Sequence, residues 1–338
     1  AKRGDLLIVD ESIYEPLRTG VTLSRATVKH FRHNDMDHLE NILKHQAEMD
    51  SKLHRKNADR RKFIVVEGLY KHSGTLANLT KIMDLKRKFS YRLIIDESHS
   101  FGTLGPTGRG ALEHFQLKPM YDAEVVIVGL EQSLGSIGGI CVGTEEVVDH
   151  QRLSGAGYCF SASAPPFTAR AALASLTRLQ NTEKQLLNKL NANRALLYQL
   201  LGSMLEEMVN KLVITSQDIS PIVILQLSPS VIHPTSPNSK SSSTTTTTKP
   251  HKLSREEQIT LLDTISNTCL DKGIALISTG KSTNAMNKDW ETSTHFVTPP
   301  PSLKLTVSAV HTKEHLEECV RVLGEVVKEV LGSFGGDV

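Results

Sequence analysis

An acid and a histidine three residues apart, Asp96 and His99, lie in the stretch Asp96-Glu97-Ser98-His99-Ser100-Phe101-Gly102, directly after the apolar run Leu93-Ile94-Ile95. At the end of a buried strand, a carboxylate can hold the protonated ring nitrogen of a planar heteroaromatic cofactor, which makes the ring an electron sink. A nearby imidazole can hydrogen-bond a ring hydroxyl or a substrate carboxylate. An imine-forming lysine would complete such a site, yet no lysine occurs between Lys118 and Lys184. By type and spacing alone the plainer reading is favoured, with Asp96 capping a turn and His99 a hydrogen-bonded loop histidine.

Elements that would position these residues are legible in the surrounding pattern. Gly4 to Asp10 reads as a buried strand, which predicts that further chain precedes Ala1, because such a strand needs neighbours on both sides. Strand and helix signals then alternate: Phe63 to Glu67, a helical stretch from Leu79 to Phe89, Leu93 to Asp96, Val125 to Val128, and Ile140 to Gly143. Apolar strands separated in this way predict a largely parallel α/β sheet covered by helices, with ligands outside the carboxyl ends of the strands. Glu67, Asp96 and the loop after Val128 would share that edge.

Beyond Pro165-Pro166 the pattern changes to long helical stretches, Phe167 to Leu179 and Glu183 to Lys211. Short strands follow at Ile222 to Leu227, Ala275 to Ser278 and Leu303 to Ser308, then a closing helix from Thr312 to Leu331 with Leu316, Val320, Leu323, Val327 and Val330 on one face. The expected organisation is a large domain over 1–165 and a smaller α+β domain with its connecting helices over 166–338. Residues 229–253, rich in Pro, Ser and Thr, read as a disordered surface insertion. Order resumes at the capping-box sequence Ser254-Arg255-Glu256-Glu257.

Composition narrows the function classes. At 338 residues, with 39% hydrophobic and 22% charged residues and a net charge of +2, the chain can bury a sizeable core and shows no bias towards a polyanionic partner. The basic tract Lys52, Arg55, Lys56, Arg60, Arg61, Lys62 contains Asp59 and no interleaved aromatics, so it reads as a solvated surface segment with no nucleic-acid role. Cys141, Cys159, Cys269 and Cys319 lie too far apart for a zinc site or a disulfide scaffold, as expected of reduced thiols facing the cytosol. No run is long enough to span a membrane and no signal peptide precedes the first strand.

The flanking sequence turns the reading of Asp96 and His99 towards a cofactor. Asp96 to Gly110, the Gly138-Gly139 turn, and Phe160-Ser161-Ala162-Ser163-Ala164-Pro165-Pro166 resemble the α-oxoamine synthases. These are fold type I pyridoxal-phosphate enzymes that join an amino acid to an acyl-CoA with loss of carbon dioxide. FIVVEGLY (Phe63 to Tyr70), His33 to Met36, Ser136 to Gly139 and Asp149 to Ser163 are most similar to the serine palmitoyltransferase branch, and there to the subunits that lack the lysine. The likeness runs from Ala1 to the closing helix, interrupted by the Ser/Thr-rich insert.

Several roles follow from that resemblance alone. It puts Gln132 at the imine-forming lysine position, and a carboxamide cannot form an imine. Gly129 stands where a threonine would help hold the cofactor phosphate, and Glu131 places a carboxylate beside that dianion's position. Lys71-His72-Ser73-Gly74 departs from the active relatives' turn. Asp96 and His99 keep the active-family types, either as relics or as a hydrogen-bond network that shapes the loop facing a partner. Ser161 and Ser163 would donate to the phosphate held by the partner subunit, or else cap the helix at Pro165. Lys304 is the nearest basic match to a substrate-carboxylate arginine, although a lysine lacks the planar fork and a surface role is the plainer reading.

The resemblance thus implies a subunit that supports condensation of L-serine with palmitoyl-CoA to 3-oxosphinganine, the first step of sphingolipid synthesis. Its partner would be the lysine-bearing, catalytic long-chain base subunit two, which holds the pyridoxal phosphate, with small regulatory subunits as further partners. The implied location is the cytosolic face of the endoplasmic reticulum membrane, with the family's membrane anchor and ring-stacking residue in sequence before Ala1. Two rival readings are a self-sufficient enzyme using Lys71 as a displaced lysine, and a purely regulatory or scaffolding homologue.

Overall fold

The computed structural model describes residues 1–54, 60–208, 211–232, 252–280 and 296–332. The run Leu6–Asp10 forms β1 with all five residues buried, as a strand covered on both faces requires. Around it lie β2 (Thr27–Phe31), β3 (Lys62–Glu67), β4 (Arg92–Asp96), β5 (Val125–Gly129) and β6 (Gly139–Gly143). The six strands take the order β2-β1-β3-β4-β5-β6. The first five are mutually parallel, and β6 turns back antiparallel to β5 with Gly129 opposite Gly139. The short connection between those two strands contains no crossover helix, so it can join only antiparallel neighbours. The mostly parallel sheet expected from the sequence is therefore present.

Register decides what gathers at the carboxyl edge. Val9 pairs with Val65, Glu67 with Asp96, and Asp96 with Ile127. The acids that end β1, β3 and β4 consequently stand along one rim. Connecting segments carry α1 (Glu15–Leu23), α2 (Met36–Lys52), α3 (Leu79–Phe89) and the short α4 (Ala111–His114). Asp35 and Asn78 cap α2 and α3 by accepting the His38 and Lys81 amides at 2.8 and 3.3 Å. After β6 come α5 (Glu145–Ser154), α6 (Ala156–Cys159) and the 42-residue α7 (Pro166–Glu207). The two helical stretches expected there form one helix, because no glycine or proline interrupts the chain between Pro166 and Gly202.

The chain divides into two compact units, Ala1–Asn188 with Asn287–Val297, and Lys189–Met286 with Thr298–Val338. The division falls within α7. The second unit contains β7 (Leu212–Ile214), β8 (Ile222–Leu227), β9 (Ile277–Thr279) and β10 (Ser302–Thr306) as an antiparallel sheet of order β7-β8-β10-β9. Its helices are α8 (Pro229–Ile232), α9 (Arg255–Asp271) and α10 (Lys313–Leu331). Leu316, Val320, Leu323 and Val327 of α10 enter one core with Leu225, Leu303 and Ile265. Ser254 and Glu257 form the capping box at the start of α9.

Two expectations need correction. The described end of the basic tract is not a solvated segment: Arg60 and Lys62 both reach Asp50, at 2.8 and 3.7 Å, and Arg61 reaches Asp5 at 3.0 Å. Lys62 opens the buried strand β3, so its ammonium must find a carboxylate inside. Arg55 and Lys56 lie outside the described residues. The ends of the Ser/Thr-rich insertion are ordered, with Val231 and Leu253 buried and the Leu253 amide donating to the Ile232 carbonyl at 3.0 Å. Residues 233–251 of that insertion lie outside the described residues. All four cysteines are free thiols, and among the described residues no helix is long and apolar enough to cross a membrane.

Gly68, the residue after β3, shows how tightly the rim is packed. A Cβ there would stand 2.7 Å from Glu97 Oε2 and 2.9 Å from the Ala111 Cβ. Gly68→Ala is expected to lower unfolding free energy by about 1–3 kcal/mol, read as a lower denaturant midpoint with an unchanged m-value; an unchanged midpoint would contradict the packing.

Candidate active site

Four carboxylates occupy the carboxyl rim of the first sheet, each at most 2% exposed: Asp10, Glu67, Asp96 and Glu97. Each is satisfied by the loop that leaves its neighbourhood. Asp10 accepts the Ser12 amide at 2.8 Å, the Asn34 amide at 3.1 Å and the Tyr70 hydroxyl at 3.0 Å, with His33 Nδ1 at 3.1 Å. On its other side, His33 Nε2 lies 2.9 Å from Thr75 Oγ1. Glu67 accepts the Tyr14 and Lys71 amides at 2.7 and 3.0 Å. Glu97 accepts the Ala111 and Leu112 amides at 2.8 and 2.9 Å and the Ser100 hydroxyl, which fastens the first turn of α4.

Asp96 and His99 are both buried, and Tyr14 meets each of them. Asp96 Oδ1 accepts the Ser98 amide at 2.8 Å and Oδ2 accepts the Tyr14 hydroxyl at 3.0 Å. The Tyr14 ring stands edge-on to His99 with centroids 5.3 Å apart, and His99 Nδ1 is 3.9 Å from Glu67 Oε2. Burial pushes the Glu67, Asp96 and Glu97 carboxyls above the usual carboxylate range, and Glu131 adds to the rise at Asp96. Burial, and then the charge of Asp96, raise the Tyr14 phenol.

Gln132 lies in the turn after β5, exposed, with its carboxamide 3.4 Å from Glu131 Oε1. A Cβ at Gly129 would meet the two Glu131 carboxylate oxygens at 2.9 and 3.0 Å and Ser98 Oγ at 3.1 Å. The Glu131 carboxylate thus lies over Gly129, and a side chain at 129 would have to displace it. A pyridoxal phosphate held in this chain's own site does not fit these residues. Gln132 offers no amine for an imine, Glu131 presents negative charge where the resemblance puts the phosphate, and Tyr14 takes the Asp96 oxygen.

The remaining candidates are dispersed. Lys71 Nζ pairs with Glu15 at 3.2 Å and lies 5.7 Å from the Tyr14 ring centroid. His72 joins the same carboxylate at 3.0 Å and, as the largest cause, holds Glu15 well below the usual carboxylate range. Ser161 and Ser163 are exposed, and the Ser161 hydroxyl donates back to the Gly157 carbonyl instead of capping α7. Lys304 belongs to the second unit, in β10 opposite Ile224 and Ile277.

Sequence reasoning missed Tyr14 and the Asp10–His33–Tyr70 cluster. A signal existed for the cluster, since β1, β3 and β4 each end in an acid, and a buried acid demands donors nearby. Tyr14 carries no comparable signal, because nothing in its neighbours shows that the loop after β1 folds over Asp96.

These buried acids make a checkable pH dependence. A carboxyl whose pKa is raised on folding keeps its proton longer in the native state, so its stabilising contribution is present at low pH and lost as pH rises through the native pKa. Asp96→Asn removes one such group. The variant's stability relative to the parent is expected to grow as pH rises above the ordinary aspartate pKa of about 4, measured by denaturant unfolding across a pH series. A difference independent of pH would show that Asp96 has an ordinary pKa.

Comparisons with known proteins agree with this architecture. The sequence model of the family Aminotransferase class I and II matches residues 1–323. Serine palmitoyltransferase 1 of Dictyostelium discoideum is 35% identical over 334 residues, which are 98% of this chain and 62% of that protein. Long chain base biosynthesis protein 1c of Oryza sativa subsp. japonica is 41% identical over 229 residues, 67% of this chain and 45% of that one. This chain therefore spans 45% and 62% of the lengths of these two curated relatives. Among solved structures, SPT with PLP internal aldimine superposes with a TM-score of 0.74 at 20% identity, covering 98% of this chain and 68% of the other. Sphingomonas wittichii serine palmitoyltransferase gives 0.71 at 21%, covering 99% and 69%. A family match across nearly the whole chain, joined to a mostly parallel sheet whose carboxyl rim carries Asp96 and His99, places this chain in the class I and II aminotransferase family.

Proposed function

We propose that this chain is the non-imine-forming subunit of a heterodimeric serine palmitoyltransferase. In that complex, L-serine and palmitoyl-CoA condense to 3-oxosphinganine with pyridoxal phosphate held by the lysine of the catalytic long-chain base subunit two. The observation that carries the reading is the turn after β5, where Gln132 lies beside the Glu131 carboxylate at the positions the resemblance gives to an imine-forming amine and a phosphate contact. The curated relatives supply the reaction class, since they bear the names serine palmitoyltransferase 1 and long chain base biosynthesis protein 1c. The cytosolic face of the endoplasmic reticulum membrane and contact with small regulatory subunits belong to the same proposal and rest on the resemblance.

The segment around Ser161 and Ser163 supports a partner-facing role. Leu153, Tyr158, Phe160 and Phe167 are 81, 64, 90 and 70% exposed. Large apolar side chains left in water over so short a stretch mark a contact surface. In the assembled complex the two serines would donate to the phosphate of the partner's cofactor, while the rim of this chain supplies a rigid wall. On the same resemblance, Lys304 would face the substrate carboxylate.

The decisive experiment is serine-dependent condensation with palmitoyl-CoA by the full-length protein alone, subunit two alone, and both co-expressed, with the cofactor's imine absorbance recorded in each. Activity in the co-expressed pair only, and no imine in this chain alone, is the expected outcome. An imine in this chain alone, lost on Lys71→Ala, would establish the self-sufficient reading, and full activity from subunit two alone would establish a regulatory one. Replacing Ser161 and Ser163 together by Ala is expected to lower the pair's turnover by about tenfold or more, as loss of hydrogen bonds to a charged group does, with co-purification unchanged.

A further inference from the structure

Tyr14 is held at three points. Its amide donates to Glu67 Oε1 at 2.7 Å, its hydroxyl to Asp96 Oδ2 at 3.0 Å, and its ring packs edge-on against His99. The hydroxyl also lies 3.2 Å from Ser98 Oγ, which accepts the Gly129 amide at 2.7 Å. The residue is therefore tied to the end of β3 through its amide and to the ends of β4 and β5 through its hydroxyl. It is 5% exposed and Asp96 2%. A flat ring approaching Asp96 beside His99 must first remove the phenol.

We propose that Tyr14 is a built-in occupant of the cofactor-ring position: its hydroxyl holds the Asp96 oxygen that a pyridinium N–H would need, and its ring takes the space beside His99. This chain's own half-site is thereby closed to planar heteroaromatic ligands by its own side chain. Loss of the lysine alone would leave a pocket able to bind the ring without a covalent bond. With Tyr14 in place, even non-covalent entry requires breaking hydrogen bonds inside a buried site, where an unsatisfied carboxylate is costly. The inference rests on reading Asp96 as the ring-nitrogen position, and it concerns ligand uptake by this chain, not condensation.

The test uses the full-length protein with whatever subunit it retains, reduced with borohydride so that any aldehyde cofactor already present as an imine is fixed in place. Equilibrium dialysis then follows 4′-deoxypyridoxine 5′-phosphate, which lacks the aldehyde and cannot form an imine with any lysine. No uptake by the parent and a further single equivalent bound by folded Tyr14→Ala is the expected result. An additional equivalent in the parent, or none in folded Tyr14→Ala, overturns the proposal. Should Tyr14→Ala not fold, Tyr14→Val removes both the hydroxyl anchor and the ring while keeping an apolar side chain, and is expected to bind one equivalent; no uptake by folded Tyr14→Val overturns the proposal. Because synthesis is not read, failure of the heterodimer reading would leave these outcomes unchanged.

Discussion

Burial of carboxylates at the strand ends is the constraint on which the first unit depends. Water would solvate Asp10, Glu67, Asp96 and Glu97 at no cost, but inside the protein each must receive donors or lose its charge. Among the donors are the backbone amides of Ser12, Asn34, Tyr14, Lys71, Ser98, Ala111 and Leu112, alongside the hydroxyls of Tyr70, Tyr14 and Ser100. The loops that follow β1, β2, β3 and β4 are therefore folded around acids. Gly68 and Gly110 have no side chain because the Glu97 carboxylate approaches both positions too closely for one. A rim built in this way is stiff, and stiffness is what a functional face needs from its scaffold.

Strong apolar runs made most of this architecture legible. β1, β3, β4, β5 and β8 are β-branched or leucine-rich and bounded by polar turns, so their burial follows from composition. The edge strand β2 was not anticipated, because Thr27-Val28-Lys29-His30-Phe31 needs only one buried residue, Phe31, and lacks an apolar signature. The reversal of β6 was equally hidden, since strand direction depends on the length and path of the connection and not on the strand's own residues. At the site, the Asp-x-x-His spacing located Asp96 and His99, but neither their partners nor the direction of their hydrogen bonds. Tyr14 reaches Asp96 across 82 positions of sequence, and single-sequence patterns carry no information at that range.

Gly129, Glu131, Gln132 and Tyr14 make sense only together. A glutamate carboxylate lies over residue 129 and would have to move for a side chain there, and its charge opposes a phosphate. A carboxamide at 132 removes the covalent anchor, and a phenol on Asp96 occupies what the ring would hold. Each change is compatible with the others and acts on a different part of a cofactor: Gln132 on the imine, Glu131 on the phosphate and Tyr14 on entry of the ring. Gln132→Lys alone would place an amine beside Glu131, where an ion pair competes with imine chemistry.

Retention of Asp96 therefore does not by itself report a cofactor. In this chain the carboxylate has structural work that any occupant of the site would find already assigned: it orders the turn through Ser98 and anchors Tyr14, which is tied through its amide to Glu67. Removing Asp96 would leave a buried phenol and a buried amide without their acceptor, a cost independent of catalysis. The same residue type in an active relative would be held by the chemistry it performs. Two different physical demands thus arrive at one aspartate, and what separates them is the atom that faces Oδ2.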